Sequence, residues 1–304
     1  YHYGIIYSIF IALQIPCNVQ LSDFGTLNLQ GRYVSEGFGG LEDGVADRAK
    51  DNFKAYSVTT NLELGKFFPE KAKVSAPLYY SRTQEESSPK YNPLDTDLRL
   101  KDALDAANRQ ERDSIKNIAI RRTTNTNFSL SNVRIGIQNK RHPMTYDPAN
   151  FSFSYSNSSR FTSGETTVYE RENNWRAALA YNWTPVYKPL EPFKNLKGKS
   201  KWLDILKRFG LNWLPQNLSF NSDINRSYYE LQERDMESKG GDRLPLTFNS
   251  QFLWNRDFAV RWDLTRNLHA NFQSATHAEV EQPYTPVNKD LYAERYQAWK
   301  DSVW

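Results

Sequence analysis

Long stretches of this chain alternate apolar and polar residues one for one, a period that a β-strand turns into two unlike faces and a helix cannot use. In Thr26 to Tyr33, Leu27, Leu29 and Tyr33 share one face, while Thr26, Asn28, Gln30 and Arg32 share the other. Tyr56, Val58, Thr60, Leu62 and Leu64 oppose Ser57, Thr59, Asn61 and Glu63, and Phe151, Phe153 and Tyr155 oppose Ser152, Ser154 and Ser156. Trp175, Ala177, Leu179, Tyr181 and Trp183 oppose Asn174, Arg176 and Asn182, with Trp at each end of the apolar row. From Asn217 to Tyr229, Leu218, Phe220, Ile224 and Tyr228 face Asn217, Ser219, Asn221, Asp223, Asn225 and Ser227 across the strand, with Arg226 the one cation on the apolar side. Phe258–Leu264 and Leu268–Val280, joined by Thr265-Arg266-Asn267, read as a tight hairpin. Its polar face carries Arg261, Asp263, His269, Asn271, Gln273, His277 and Glu279.

Two-faced strands suit either a soluble sandwich or a sheet with lipid on one side. Mean hydropathy is -0.73 and 24% of the 304 residues are charged, so the sequence holds no apolar run long enough for a membrane helix. Barrel strands remain allowed, because only alternate residues then meet lipid. Aromatic residues make up 14% of the chain, an excess that suits interfacial belts of Tyr and Trp. Charged residues facing lipid at the midplane cost roughly 2–4 kcal/mol for Arg or Lys, and a one-residue slip would turn Arg261, Asp263 and Glu279 outward, so the pattern specifies its own facing. The expectation is an all-β fold: a segment of an antiparallel transmembrane β-barrel, with residues 1–304 forming one partial barrel region. The opening Tyr1 without Met and the patterned end at Trp304 read as a fragment, and Tyr3 to Pro16 as a strand or a truncation scar.

Three inserts interrupt the strands, at about 87–120, 185–214 and 290–304. In the first, Leu98, Leu100, Ala103, Leu104 and Ala106 predict a short helix that dissolves into the charged run Arg109 to Lys116. In the second, Trp202, Leu203, Leu206 and Phe209 fall on one helical stripe, either an interfacial helix or an ordinary amphipathic one. The third is also helix-like.

Catalytic signatures are missing from the sequence: it has no phosphate loop, nucleophile elbow or HExxH string, and the expectation is no enzyme and no cofactor. His269 and His277, eight residues apart on one strand face, are roughly 26 Å apart and cannot share a metal. Cys17 is the one cysteine, which excludes a disulfide framework. A net charge of +4, evenly spread, argues against nucleic acid. Triplets such as Asn150-Phe151-Ser152 and Asn217-Leu218-Ser219 are by-products of alternation, not glycosylation signals.

The strings NLELGKFFPEKAKVSAPLYYS (Asn61 to Ser81), KYNPLDTDLRLKDALD (Lys90 to Asp105), FSLSNVRI (Phe128 to Ile135), SKWLDILKRF (Ser200 to Phe209), LPQNLSFNSDINRSYYELQ (Leu214 to Gln232) and FAVRWDLTRNL (Phe258 to Leu268) resemble the Sov/SprA family. Its members are the giant outer-membrane translocon barrels of the type 9 secretion system of Bacteroidetes, tied in some to gliding motility. The likeness runs from about Asp23 to Asp290 and leaves the first twenty residues unmatched. It implies a protein-conducting barrel in the bacterial outer membrane, with secreted cargo proteins, a smaller shuttle barrel and a periplasmic plug protein as partners.

By parity, Asn217, Ser219, Asn221, Asp223 and Asn225, with Arg261, Asp263, His269, Asn271, Gln273 and His277, are expected to line the pore. Two alternatives stay open on the sequence: a smaller uptake barrel, porin or plug-gated, and a soluble all-β surface or carbohydrate-binding protein. They differ physically in what covers the apolar stripes, which is lipid for a barrel and a second layer of protein for a soluble module.

Overall fold

The computed structural model describes residues 11–39, 42, 44, 48–138, 143–186, 188–193, 209–235, 243–265, 267–280 and 293–303. In chain order the elements are β1 (Ala12–Leu21), β2 (Gly25–Val34), β3 (Asp51–Glu63), β4 (Val74–Ser75), β5 (Pro77–Pro89), β6 (Tyr91–Asn92), β7 (Asp95–Arg99), α1 (Leu100–Ala106) and α2 (Arg109–Ala119). There follow β8 (Arg121–Ile135), β9 (Phe151–Ser163), β10 (Thr167–Trp183), β11 (Asn217–Glu233), β12 (Thr247–Asp263), β13 (His269–Val280) and α3 (Ala293–Val303). The protein is all-β in its main body.

Ten strands lie side by side in the order β1-β2-β3-β5-β8-β9-β10-β11-β12-β13, and β4 adds to β8. Every pairing is antiparallel, so each strand hands the chain to its spatial neighbour, with only β4, in the loop before β5, and the β6-β7 hairpin, in the β5–β8 connection, set aside. Strands β1 and β13 are each paired on one side only among the described residues, so the sheet is open. It is also one layer thick: strands pack on their sheet neighbours and on short connecting elements, not on a second sheet.

Consequently the described residues form no core beneath the sheet. Among the described residues no side chain is fully buried, and the buried apolar residues are Ala76, Leu100, Ala103, Ala119 and Trp183. Leu100, Ala103 and Ala119 belong to α1 and α2, so what apolar burial there is belongs largely to a connection. Large apolar side chains stand exposed across the sheet: Leu13 at 50%, Ile15 at 57% and Phe272 at 59%. Apolar stripes meeting in a closed interior, as a free-standing sandwich requires, are not what these strands form.

Several elements differ from the sequence reading. Strand β5 runs through Pro89, so the first insert starts three residues later than 87, and β12 begins at Thr247, well ahead of Phe258. Leu64 leaves the β3 row for a 3-10 turn, because the Glu63 carboxylate accepts from the Gly65 and Ala76 N–H groups and bends the chain there. The charged run is not a dissolving helix end but α2, started by a capping box in which Asn108 accepts from the Glu111 N–H and Glu111 from the Asn108 N–H. Residues 12–21 form a full strand, where the sequence left a strand or a scar. The helical stripe Trp202, Leu203 and Leu206 lies outside the described residues. Phe209 packs on Phe193 with ring centroids 6.3 Å apart. The helix expected near the end is present as α3.

Candidate functional site

Antiparallel partners share a face, so the registers extend strand parity into two continuous surfaces. On one, the row Leu62, Leu78, Leu130, Tyr155, Ala177, Ile224, Trp254 and Ala278 crosses from β3 to β13 through direct partners. Aromatic pairs tie it together: Phe128 with Tyr155, Phe151 with Tyr181 and Phe258 with Phe272, at 6.1, 4.9 and 5.9 Å between centroids. The Trp pair at 175 and 183 is repeated on β12 as Trp254 and Trp262. Eight residues of strand span roughly 26 Å, about 20 Å across the layer at a tilt near 40°. At one border the Trp183 and Trp262 indoles donate to the Pro143 and Asn212 carbonyls (3.0 and 2.9 Å), which fixes the rings at the strand ends.

The opposite surface is the candidate site, and it is polar from β1 to β13. Register places the eleven parity-assigned residues together on this face. Asn217, Arg261 and Asn271 are direct partners in one row, Ser219 and Gln273 flank Ala259 in the next, and Asp223, Asn255 and His277 form another. Asn221 stands opposite Asp257, Asn225 opposite Leu253, and Asp263 opposite His269. Cross-strand bonds hold the rows. Arg176 Nε donates to Asp223 Oδ1 at 2.5 Å, and Asn225 Nδ2 donates to Asp223 Oδ2 at 2.7 Å. Asn217 donates to Asn182 (3.0 Å), and His277 Nδ1 meets Asn255 Oδ1 at 2.6 Å. His269 Nδ1 lies 2.7 Å from Asp263 Oδ1, which also has Arg261 Nε at 3.8 Å. The two histidines thus have separate partners.

Sequence reasoning left much of this wall out of the site. Asn174, Arg176 and Asn182 of β10, Asp257 and Asn255 of β12, and the serine row 152, 154, 156 and 158 of β9 share the face through register. The same parity signal would have found them. Ser227 Oγ donates to Asn174 Oδ1 (2.6 Å) and Ser158 Oγ to Asn127 Oδ1 (2.8 Å), which carries the network on to β8.

Three hollows lie on the polar surface. One of about 460 Å³ is bordered by Tyr79, Asn127, Ser156, Asn174, Asn225 and Gln251, one or more residues from each of β5, β8, β9, β10, β11 and β12. It follows the trough between two adjacent rows of cross-strand partners, Ser156-Arg176-Asn225 and Ser158-Asn174-Ser227. A second, of about 510 Å³, holds Arg176, Asn221, Asp223, Asn255 and His277. The third, about 820 Å³, lies between Arg121, Arg160, Glu85 and Glu170 and reaches Ala119 of α2. Beyond the strand end, Arg234 is lowered from its ordinary value by burial and by Arg243 alongside. Carboxylates outnumber cations on this wall: Asp51, Glu85, Glu170, Glu172, Asp223, Asp257, Asp263 and Glu279 stand with Arg32, Arg121, Arg160, Arg176 and Arg261. Among the described residues no three His, Cys, Asp or Glu converge as metal ligands, and no helix is long and apolar enough to cross a membrane.

Residues 9–104 match the family model described as motility related/secretion protein, SprA_N. The match supports membership of the SprA/Sov family. It begins ahead of Asp23, where the sequence likeness was drawn, so β1 lies within the SprA_N region. It spans β1 to the first turn of α1, and ties the chain to motility and secretion. No curated protein matches the chain.

Proposed function

We propose that this sheet is a sector of an outer-membrane β-barrel whose lumen conducts proteins, the translocon of type 9 secretion, and that it works as a conduit and not as a catalyst. One observation carries the reading: among the described residues, a single-layer sheet with an uncovered, aromatic-bordered apolar face and an opposite wall of Asn, Ser, Thr, Gln and charged residues. Water on both sides would leave the apolar face without compensation. Lipid on that side and water on the other match each face to its solvent. The SprA_N match supports a secretion role.

The mechanism on this reading is physical. Polar side chains that already bond each other, such as Arg176 with Asp223 and Ser227 with Asn174, keep the wall wet and give a passing polypeptide few apolar holds. Cargo is secreted protein, and a smaller shuttle barrel and a periplasmic plug protein are the partners that the reading implies.

Single cysteines test it in the full-length protein with Cys17 replaced by Ala. A membrane-impermeant maleimide should label positions 219, 221 and 223 through the lumen and leave 218, 220 and 224 unlabelled. The reverse pattern, or equal labelling of both sets, would sink the proposal.

A further inference from the structure

The apolar face does not run square to the strands. The row from Leu62 to Ala278 is apolar or aromatic throughout, but its neighbours on this face are not. Two rows toward the end where β9 turns into β10, successive partners are Cys17, Leu29 and Val58 on β1 to β3, then Arg82, Thr126, Ser159 and Asn173 on β5, β8, β9 and β10. Two rows toward the opposite end, Phe151, Tyr181, Phe220 and Phe258 are partners on β9 to β12. The apolar band therefore crosses the sheet on a diagonal. Its first border is aromatic and shifts strand by strand: Tyr56, Tyr80, Tyr155 and Trp175 are followed on the same face by Lys54, Arg82, Asn157 and Asn173. On the opposite border the last apolar residue moves from Leu62 on β3 to Leu218 on β11, three two-residue rows over five strand steps. At about 3.3 Å per residue and about 4.8 Å between strands, that slope inclines the band by roughly 40° to the rows.

Barrel strands tilted by about 35–45° cross a flat hydrocarbon layer on such a diagonal, and Tyr and Trp rings settle where hydrocarbon meets headgroups. Past the aromatic border, side chains on this face bond each other. Asn157 Nδ2 donates to Asn173 Oδ1 at 3.2 Å, Arg122 Nε to Glu86 Oε1 at 3.0 Å, and Tyr169 Oη to Glu230 Oε1 at 2.9 Å. Among the described residues one cation, Arg256, lies inside the band, and its guanidinium sits over the Trp254 ring, 4.3 Å from the centroid, on the side nearer that border. We infer that hydrocarbon covers only this diagonal band, and that the ends of β5, β8, β9 and β10 beside the β9–β10 turn stand clear of the bilayer as a wall with water on both sides; the inference rests on the membrane reading above. On β10 the projecting part runs from Asn173 back to Thr167, about 20 Å of strand and about 15 Å of height at that tilt.

Single cysteines carrying bimane, in the full-length protein on a cysteine-free background, test it in phosphatidylcholine vesicles. One set of vesicles has brominated acyl chains, and a second has iodide on both sides as the aqueous quencher. Leu29→Cys and Val58→Cys should lose most of their fluorescence to the brominated chains and little to iodide. Ser159→Cys and Asn173→Cys, in the same row, should do the reverse. Phe151→Cys and Leu179→Cys report the band on β9 and β10 and should be quenched by the lipid. Two positions for each environment keep the comparison if one variant fails to fold. Lipid quenching at 159 and 173 as strong as at 29 and 58, or iodide quenching at 29 and 58 as strong as at 159 and 173, would overturn the inference, while quenching by lipid at 151 and 179 leaves the sheet in the membrane. Absence of lipid quenching at all six positions would remove the membrane reading and this inference with it.

Discussion

At the scale of single residues, what matters is which side of the backbone a side chain leaves from. Ser219 and Phe220 are adjacent on β11, yet Ser219 stands in the polar row beside Ala259 and Phe220 faces Phe258 on the apolar one. Phe220→Arg should therefore cost roughly 2–4 kcal/mol of stability in lipid vesicles, with Ser219→Arg near neutral. Equilibrium urea unfolding of the two variants side by side checks this, and equal costs would contradict the facing. Gly25 makes a different kind of demand. Its φ is 153°, and a Cβ there would run into the Asn61 carbonyl of β3. Gly25→Ala should destabilise by about 1–3 kcal/mol, read in the same unfolding measurement.

At the scale of elements, two places show how local chemistry overrides simple patterning. Strand β8 contains a bulge between Leu130 and Val133, with Asn132 at φ 50° and its N–H donated to Ser154 Oγ at 2.8 Å. Plain alternation would send Val133 to the polar wall and Arg134 to the apolar face. The extra residue reverses the parity, so Val133 pairs with Phe153 and stays on the apolar side. Helix α2 is the second place. Its run Arg109 to Lys116 is too charged to look like a buried helix, yet the Asn108 and Glu111 box starts it and Ala119 at its end is buried. Asn108→Ala should cost about 1 kcal/mol, seen as faster amide hydrogen exchange over residues 109–119 with the strands unaffected.

At the scale of the whole molecule, the open edges are the main energetic fact. The Ser35 N–H donates to the Ile11 carbonyl at 2.8 Å, which fixes the phase of the β1-β2 ladder. Ala12, Gln14, Asn18 and Gln20 then aim their N–H groups at the free edge, where Pro16 offers none. Within a bilayer each unpaired peptide group costs several kcal/mol, so on the membrane reading an adjoining strand must take this edge. Hydrogen exchange in the full-length protein in membranes should find those four amides protected, and in the 304-residue chain alone in detergent should find them fast. Fast exchange in both would mean that β1 ends the sheet.

Alternation by itself determined that the chain is all-β, which side of most strands is apolar, and which eleven residues share the polar face with their neighbours, because strand parity is a local property of the backbone. Residue chemistry also marked the helical character of the last insert. Tertiary structure alone decided which strands lie next to one another and that, among the described residues, the sheet is one layer with no second sheet on its apolar face. It also decided where a bulge resets the parity. These depend on pairing between residues far apart in sequence, and a repeating two-residue pattern is the same whichever partner it finds.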